Sequence, residues 1–257
     1  MSILDRITKI KPQAPRITLY GKPGVGKSTL ASHFPSPLFI LTEENNILGH
    51  DATPIMKTFE ELWATIDELL KVEDLPYKTI IVDSISKLDQ LVIRRVIETS
   101  PPNKKGVKPK TIAQAYDGYG AGFLRAAGIH RTFKAKMDEF TNRGITVLYI
   151  SHIEVKKCKL PDQEDFEIFS IIMNGDASRS VYIDDVDLVG FCKLKSHTVE
   201  TESGRSLIKS SGKRILSVGV NDVHVSKNRY AMPDEIDMSF EALSKYIPFY
   251  QPTEKKK

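Results

Sequence analysis

The segment Gly21-Lys22-Pro23-Gly24-Val25-Gly26-Lys27-Ser28, followed by Thr29, determines which fold this chain adopts. Its spacing is G-x-x-x-x-G-K-[ST], and a strand-like run, Arg16–Tyr20, comes directly before it. Glycines at such a turn allow positive φ and leave room for a ligand next to the backbone. Successive backbone N–H groups and the N-terminus of a helix beginning at Lys27 then point at one place, which suits phosphate oxygens.

This pattern predicts a phosphate loop formed by residues 21–29. The Lys27 ammonium is expected to reach the β- and γ-phosphates of a nucleotide, and the Ser28 hydroxyl is expected to ligate Mg²⁺. The other residues expected to cradle the phosphates are Gly21, Lys22, Pro23, Gly24, Val25, Gly26 and Thr29.

Short apolar segments alternate with amphipathic ones on both sides of the loop. The strands predicted up to residue 151 are Arg16–Tyr20, Leu38–Thr42, Thr79–Asp83 and Thr146–Ser151. The helices predicted between them are Lys27–Phe34, Phe59–Lys71, Ser86–Thr99 and Gly122–Asn142. Strand–helix alternation of this kind produces right-handed βαβ units and a doubly wound parallel sheet. The predicted fold class is therefore α/β.

The pattern changes after Ser151. Two segments, Val155–Leu160 and Phe166–Ile172, are expected to form a hairpin. Two later strands, Leu188–Leu194 and Ile215–Val220, are expected to extend the sheet in mixed directions. We therefore predict a mostly parallel sheet with an antiparallel extension near its C-terminal end.

Composition excludes several classes of protein. The 257 residues are 40% apolar, which fits a soluble globule of one large domain or one domain with a small appendage. No apolar run approaches the roughly 18 residues of a membrane helix, and the first residues lack a signal-peptide core. Two cysteines, Cys158 and Cys192, make neither a disulfide framework nor a metal cluster and favour a reducing compartment. We expect a cytoplasmic protein with no membrane partner.

A carboxylate ends the third predicted strand. Asp83 follows the apolar run 80–82, and the carboxyl end of a parallel strand is where such sheets bind their ligands. There its carboxylate could hold magnesium through water. The alternative is an aspartate that caps the following helix from its position before Ser84.

Three further polar residues follow strands at the same edge. Glu43 and Glu44 come just after Leu38–Thr42, and either could be the general base that orients an attacking water. The alternative is that both are exposed loop acids. His152 follows Thr146–Ser151, where it could hydrogen-bond the γ-phosphate or simply be a packed side chain.

Positive charge is concentrated in two segments. The run 101–110 carries Lys104, Lys105, Lys108 and Lys110 with no acid, and its proline and glycine indicate a loop. The hairpin after His152 carries Lys156, Lys157 and Lys159. Lysines on loops suit binding to nucleic-acid phosphates without sequence readout, and the alternative is a solvated lysine surface.

The order of these motifs resembles that of RecA-like ATPases: a phosphate loop, Glu43 after the next strand, a strand ending in Asp83-Ser84, and a strand followed by the polar residue His152. Lys227-Asn228-Arg229-Tyr230 is similar to the Lys-Asn-Arg-aromatic motif of the RadA branch. The whole chain resembles the core-only, phage-encoded RecA-like proteins that promote single-strand annealing. The resemblance covers about residues 14–250, with a short segment, 1–13, before it and a basic tail, 251–257, after it.

The resemblance implies ATP and Mg²⁺ as cofactors and single-stranded DNA as a partner, bound by the two lysine segments. It implies that Lys227 and Arg229 act in trans on the nucleotide of a neighbouring subunit, in a ring or filament. It also implies the host cytoplasm as location and a single-strand-binding protein as a further partner. His152 stands where RecA has glutamine, a departure that bears on how nucleotide state is sensed.

Three functions are compatible with these residues. The first is an ATP-hydrolysing protein that binds single-stranded DNA and promotes annealing or strand exchange. The second is a nucleotide-gated adaptor, similar to a helicase loader, that acts on a protein partner with little hydrolysis. The third, a small-molecule kinase or GTPase, is disfavoured because the guanine-type element Ser86-Lys87-Leu88-Asp89 directly follows Asp83, from where it could not reach a base.

Overall fold

The computed structural model describes residues 3–9, 11–158, 165–200 and 206–251. The strands are β1 (Arg16–Gly21), β2 (Pro37–Leu41), β3 (Asp51–Ala52), β4 (Thr79–Asp83), β5 (Thr146–Ser151), β6 (Ile153–Cys158), β7 (Phe166–Ile171), β8 (Leu188–Glu200), β9 (Ser206–Ser217), β10 (Lys227–Asn228) and β11 (Glu235–Asp237). The helices are α1 (Lys27–Ser32), α2 (Phe59–Lys71), α3 (Ile85–Thr99), α4 (Ala121–Asn142), α5 (Asp176–Ser180) and α6 (Phe240–Ser244).

Nine strands form one sheet in the order β11-β9-β8-β1-β5-β4-β2-β3, with β10 paired to β8. The neighbours from β8 to β3 run parallel, whereas β9, β10 and β11 pair antiparallel. This order confirms the predicted α/β class, a doubly wound, mostly parallel P-loop core with an antiparallel C-terminal extension. It also places the strand before the phosphate loop between β5 and β8, near the middle of the sheet.

The central strands are buried on both faces. Every residue of β4 and β5 is buried, because helices cover the sheet on both sides. Alternate side chains point to opposite layers. Thus Ile80 and Tyr149 pack with α2, α3 and α4, whereas Ile81 and Leu148 pack with Leu30 of α1. Among the described residues, none of the helices combines the length and apolarity that crossing a membrane would require.

The last two long strands differ from their predicted bounds. β8 continues to Glu200 and β9 begins at Ser206, whereas Leu188–Leu194 and Ile215–Val220 were expected. After an irregularity between Leu194 and Ser196, backbone pairing resumes over the polar segment 196–200, where no apolar alternation signals a strand. β9 ends at Ser217, short of the predicted Val220.

The predicted hairpin is present as a separate two-stranded sheet of β6 and β7. β6 begins at Ile153, two residues earlier than expected, and His152 alone separates it from the end of β5. The turn of the hairpin, Lys159 and the tail 252–257 lie outside the described residues.

We expect Leu148→Ala to lower the free energy of unfolding by about 2–5 kcal/mol, because Leu148 is fully buried in the central strand β5 and truncation leaves a cavity. Chemical denaturation measures this change. Leu124→Ala is the control, since this side chain is 66% exposed on α4 and its truncation should shift stability by less than about 0.5 kcal/mol. Equal losses from the two variants would contradict the core assignment.

Candidate functional site

The phosphate loop connects β1 to α1 as expected. Gly24 and Gly26 have φ of 74° and 103°, in the left-handed region that glycine tolerates. Gly21 meets a different constraint, because a Cβ there would lie 2.3 Å from the carbonyl oxygen of Cys192 on β8. The loop therefore needs its glycines both for its turn and for the close packing of β1 against β8.

Lys27 reaches back across the loop. Its Nζ donates hydrogen bonds to the carbonyl oxygens of Gly21, at 2.9 Å, and Lys22, at 3.1 Å. The side chain is only 7% exposed, and burial lowers the pKa of its ammonium although nearby acidic groups act in the opposite direction. A desolvated cation at the mouth of a ring of backbone amides favours an anionic ligand.

Ser28 and Asp83 lie together, as a magnesium site requires. The Ser28 hydroxyl donates to Asp83 Oδ2 at 2.8 Å. Asp83 is 5% exposed, and this burial raises the pKa of its carboxyl, while the hydrogen bond from Ser28 partly offsets the effect. A hydroxyl and a carboxylate are oxygen ligands of the kind Mg²⁺ prefers, so these two residues fit the ion and would hold it.

The Asp83 carboxylate has a second partner that the sequence analysis missed. Asn45 Nδ2 donates to the same Oδ2 at 2.6 Å. Its own Oδ1 accepts a hydrogen bond from the backbone of Ile47, which fixes the amide orientation. Asn45 follows Glu43 by two residues in the loop after β2, a position that carries no motif of its own.

Glu43 and His152 meet across the end of β4. Glu43 follows β2 and His152 follows β5, the two strands that flank β4. His152 Nε2 lies 2.8 Å and 3.1 Å from the two carboxylate oxygens of Glu43. Glu44, by contrast, is exposed. The structure thus brings Glu43 rather than Glu44 to the site.

Glu43 is held in its ionised form. Burial alone would raise its pKa, but hydrogen bonds with His152 and Ser84 outweigh burial, and the pKa of the carboxyl lies below its usual value. The ends of β2 and β4 are also tied together: the Thr42 hydroxyl donates to the Ser84 carbonyl at 2.7 Å and accepts from the Ser84 amide at 2.8 Å. A fixed, ionised carboxylate can accept a hydrogen bond from an attacking water and orient it.

A hydroxyl network joins this edge of the sheet to the hairpin. Ser86 Oγ lies 3.0 Å from Ser151 Oγ and accepts from the His152 backbone N–H at 3.0 Å. The His152 carbonyl in turn accepts from the N–H of Ile172, the residue after β7, at 3.0 Å. His152 is therefore bonded to Glu43 through its ring and to the base of the hairpin through its backbone.

Lys227 and Arg229 lie at the other edge of the sheet. Lys227 pairs with Val189, three residues before the Cys192 that is level with Gly21. The Lys227 ammonium donates to the carbonyl of Asp184. Arg229 donates to Asp187 Oδ1 at 2.9 Å and is about half exposed. Both cations lie away from the phosphate loop of their own chain, and their action in trans stays a prediction.

The two lysine segments differ in whether their lysines form ion pairs. Lys104, Lys105, Lys108 and Lys110 are exposed in the loop between α3 and the 3-10 helix Ile112–Asp117. On the hairpin, Lys156 is paired with Asp176 at 2.6 Å, and Lys157 is exposed. The lysine loop 101–110 is accordingly the less neutralised of the two.

A strained segment follows the lysine loop. Tyr116, Asp117 and Tyr119 all have positive φ, of 56°, 65° and 50°. The Tyr116 ring packs under the Arg125 guanidinium at 5.1 Å, whereas the Tyr119 ring is fully exposed. Strain of about 1–3 kcal/mol per residue persists only where other contacts impose it, and it is characteristic of functional segments.

The strand, glycine-rich loop and helix, with a buried lysine and a Ser–Asp pair beside it, define a P-loop nucleotide-binding protein. Residues 13–230 match the family described as an AAA domain, and the chain belongs to that family of P-loop ATPases. Family membership implies use of a nucleotide with Mg²⁺.

No curated protein gives a significant match. Among solved structures, the chain is similar to the flagellar accessory protein FlaH from Methanocaldococcus jannaschii, with 12% identity and a TM-score of 0.39 over 91% of this chain and 89% of that one.

We expect Lys27→Ala to weaken ATP binding by at least about tenfold, because a charge-assisted contact to phosphate is worth roughly 1.5–3 kcal/mol. Titration of a fluorescent ATP analogue measures the affinity. Lys71→Ala, which removes an exposed lysine at the end of α2, is the matched control and should bind as the parent does. Parental affinity in Lys27→Ala would exclude the phosphate loop as the binding site.

Proposed function

We propose that this chain is an ATPase that binds single-stranded DNA and promotes annealing or strand exchange in phage DNA recombination. The observation that carries the proposal is the connection through His152. One residue bonds the candidate base Glu43 with its ring and the first residue after the β6–β7 hairpin with its backbone. The candidate nucleotide site and the hairpin that carries Lys156 and Lys157 are thereby connected through hydrogen bonds of a single residue.

Each of these residues has a separate role in ATP hydrolysis. Lys27 and the amides of the loop bind the phosphates, and Ser28 and Asp83 would hold magnesium, whose charge, when bound, stabilises that of the phosphoryl oxygens. Glu43 orients and deprotonates the attacking water. His152 sets the position of the Glu43 carboxylate and, through its contact with the hairpin, makes that position depend on what the hairpin binds.

Glu43→Gln should bind ATP like the parent but hydrolyse it at least about 100-fold more slowly, because general-base catalysis contributes roughly 10²–10⁴-fold. Release of inorganic phosphate and ATP titration measure the two properties. Glu44→Gln is the matched control with unchanged turnover, since Glu44 is exposed beside the site. If the Glu43→Gln chain no longer hydrolysed ATP but still performed the protein's function in the cell, the nucleotide-gated adaptor would be favoured instead.

The lysine loop 101–110 supports DNA binding by its charge and by its neighbour. Its lysines are solvated, and they make no ion pair with any residue that the structure describes. The exposed Tyr119 ring, close behind in the chain, offers a face on which a base can stack. A cationic loop with an aromatic platform suits single strands without sequence preference.

Lys104→Ala/Lys105→Ala should weaken binding to single-stranded DNA and make its salt dependence shallower by about 1.4 in log K against log [salt], at roughly 0.7 per lost phosphate contact. Fluorescence anisotropy with labelled oligonucleotides from low to physiological salt measures the slope. Lys71→Ala/Lys78→Ala removes two exposed lysines elsewhere and should leave the slope unchanged. Failure of the parent to bind DNA at low salt, with or without ATP, would refute the DNA-binding function.

Assembly into a ring or filament completes the proposal. Arg229 is about half exposed, and both it and Lys227 are remote from their own phosphate loop, which is compatible with a role toward a neighbouring subunit. A head-to-tail interface would supply these cations in trans, so that an isolated subunit hydrolyses ATP slowly. A single-strand-binding protein is a further partner consistent with this function.

A further inference from the structure

Arg214 is a cation beside the phosphate loop that no motif indicates. It lies on β9, opposite Leu194 of β8 and two residues before Leu216, which packs on the α1 face of the sheet. Because side chains alternate along a strand, Arg214 shares that face with Leu216. The α1 face is the one on which the phosphate loop lies, so the arginine extends toward the loop from the antiparallel extension.

The guanidinium covers one residue of the loop. A Cβ on Gly26 would lie 3.2 Å from Arg214 Nη1 and 3.4 Å from its Cζ. Gly26 immediately precedes Lys27, at the start of the helix whose N–H groups face the phosphates. The Arg214 guanidinium thus lies beside Gly26, on the side of the loop to which a Cβ at that position would point.

This charge has no counterion in the part of the chain that the structure describes: Arg214 is exposed, and its guanidinium makes no hydrogen bond or ion pair there. Its neighbour Lys213 contrasts with it, because the alternation turns it to the other face, where its ammonium pairs with Asp237 at 2.6 Å. An unpaired guanidinium, with planar donors that match phosphate geometry, is suited to an anion bound at the loop.

We propose that Arg214 binds the phosphate chain of the nucleotide held by its own subunit. The inference deepens the ATPase function and rests on it. It assigns the β8–β9 extension a part in the nucleotide site, in cis, distinct from the trans role proposed for Lys227 and Arg229. The ligand is recognised by its phosphates, so an inorganic polyphosphate shares the contact.

The test compares the full chain with its Arg214→Gln, Arg214→Lys and Lys213→Gln variants without DNA. ATP and tripolyphosphate are titrated as competitors of a fluorescent ATP analogue. Arg214→Gln should weaken both competitors about tenfold, the expected loss of one charge-assisted contact. Arg214→Lys should recover part of the loss, and Lys213→Gln should match the parent. The nucleotide-free thermal midpoint of Arg214→Gln should be unchanged because the side chain is exposed.

The remaining outcomes overturn the proposal in distinguishable ways. Parental affinities in Arg214→Gln, or a loss for ATP without a loss for tripolyphosphate, would show that Arg214 does not bind phosphates. If the unchanged chain bound neither competitor, the ATPase function itself would fail, and the role of Arg214 would fail with it.

Discussion

Two opposite charges are buried at the carboxyl edge of the sheet without touching each other, and the candidate site depends on their desolvation. Lys27 is bonded to carbonyl oxygens, and Asp83 to a hydroxyl and an amide. Burial disfavours the charged form of both, lowering the pKa of the ammonium and raising that of the carboxyl. An anionic ligand accompanied by a divalent cation would relieve both penalties together, because each buried group would gain a partner of opposite charge.

The strand order brings the other candidate site residues close to these two buried charges. β2, β4 and β5 are neighbours, so the residues that follow them reach the same edge, and the reciprocal Thr42–Ser84 hydrogen bonds hold two of these ends in register. Glu43 and His152 can then meet across Asp83. The geometry is supplied by the backbone of the sheet, so candidate site residues that are far apart in the chain are brought to one place.

Much of this edge was predictable because the candidate residues beyond the phosphate loop lie at the ends of predicted strands. The glycine-rich loop has a spacing with a definite physical meaning, and Asp83, Glu43 and His152 each follow an apolar run. Asn45 and Arg214 had no such signal. Asn45 acts through a contact set by the loop after β2, and Arg214 is separated from Gly26 by 188 positions and belongs to a polar strand pair whose length the apolar pattern does not reveal. The choice between Glu43 and Glu44 likewise required the structure, because the sequence does not show in which direction the side chains of two adjacent loop residues point.

Short strands stand at both ends of the strand order in the nine-stranded sheet. β3 has two residues and β11 has three, and β11 pairs only with Ile215–Ser217, so among the described residues the earlier part of β9 has β8 as its single neighbouring strand. Long, open borders are the usual route by which sheets fuse into aggregates. The part of β9 that precedes its pairing with β11 carries Lys213 and Arg214, both exposed, and charged side chains at such a border oppose the addition of a strand from another molecule.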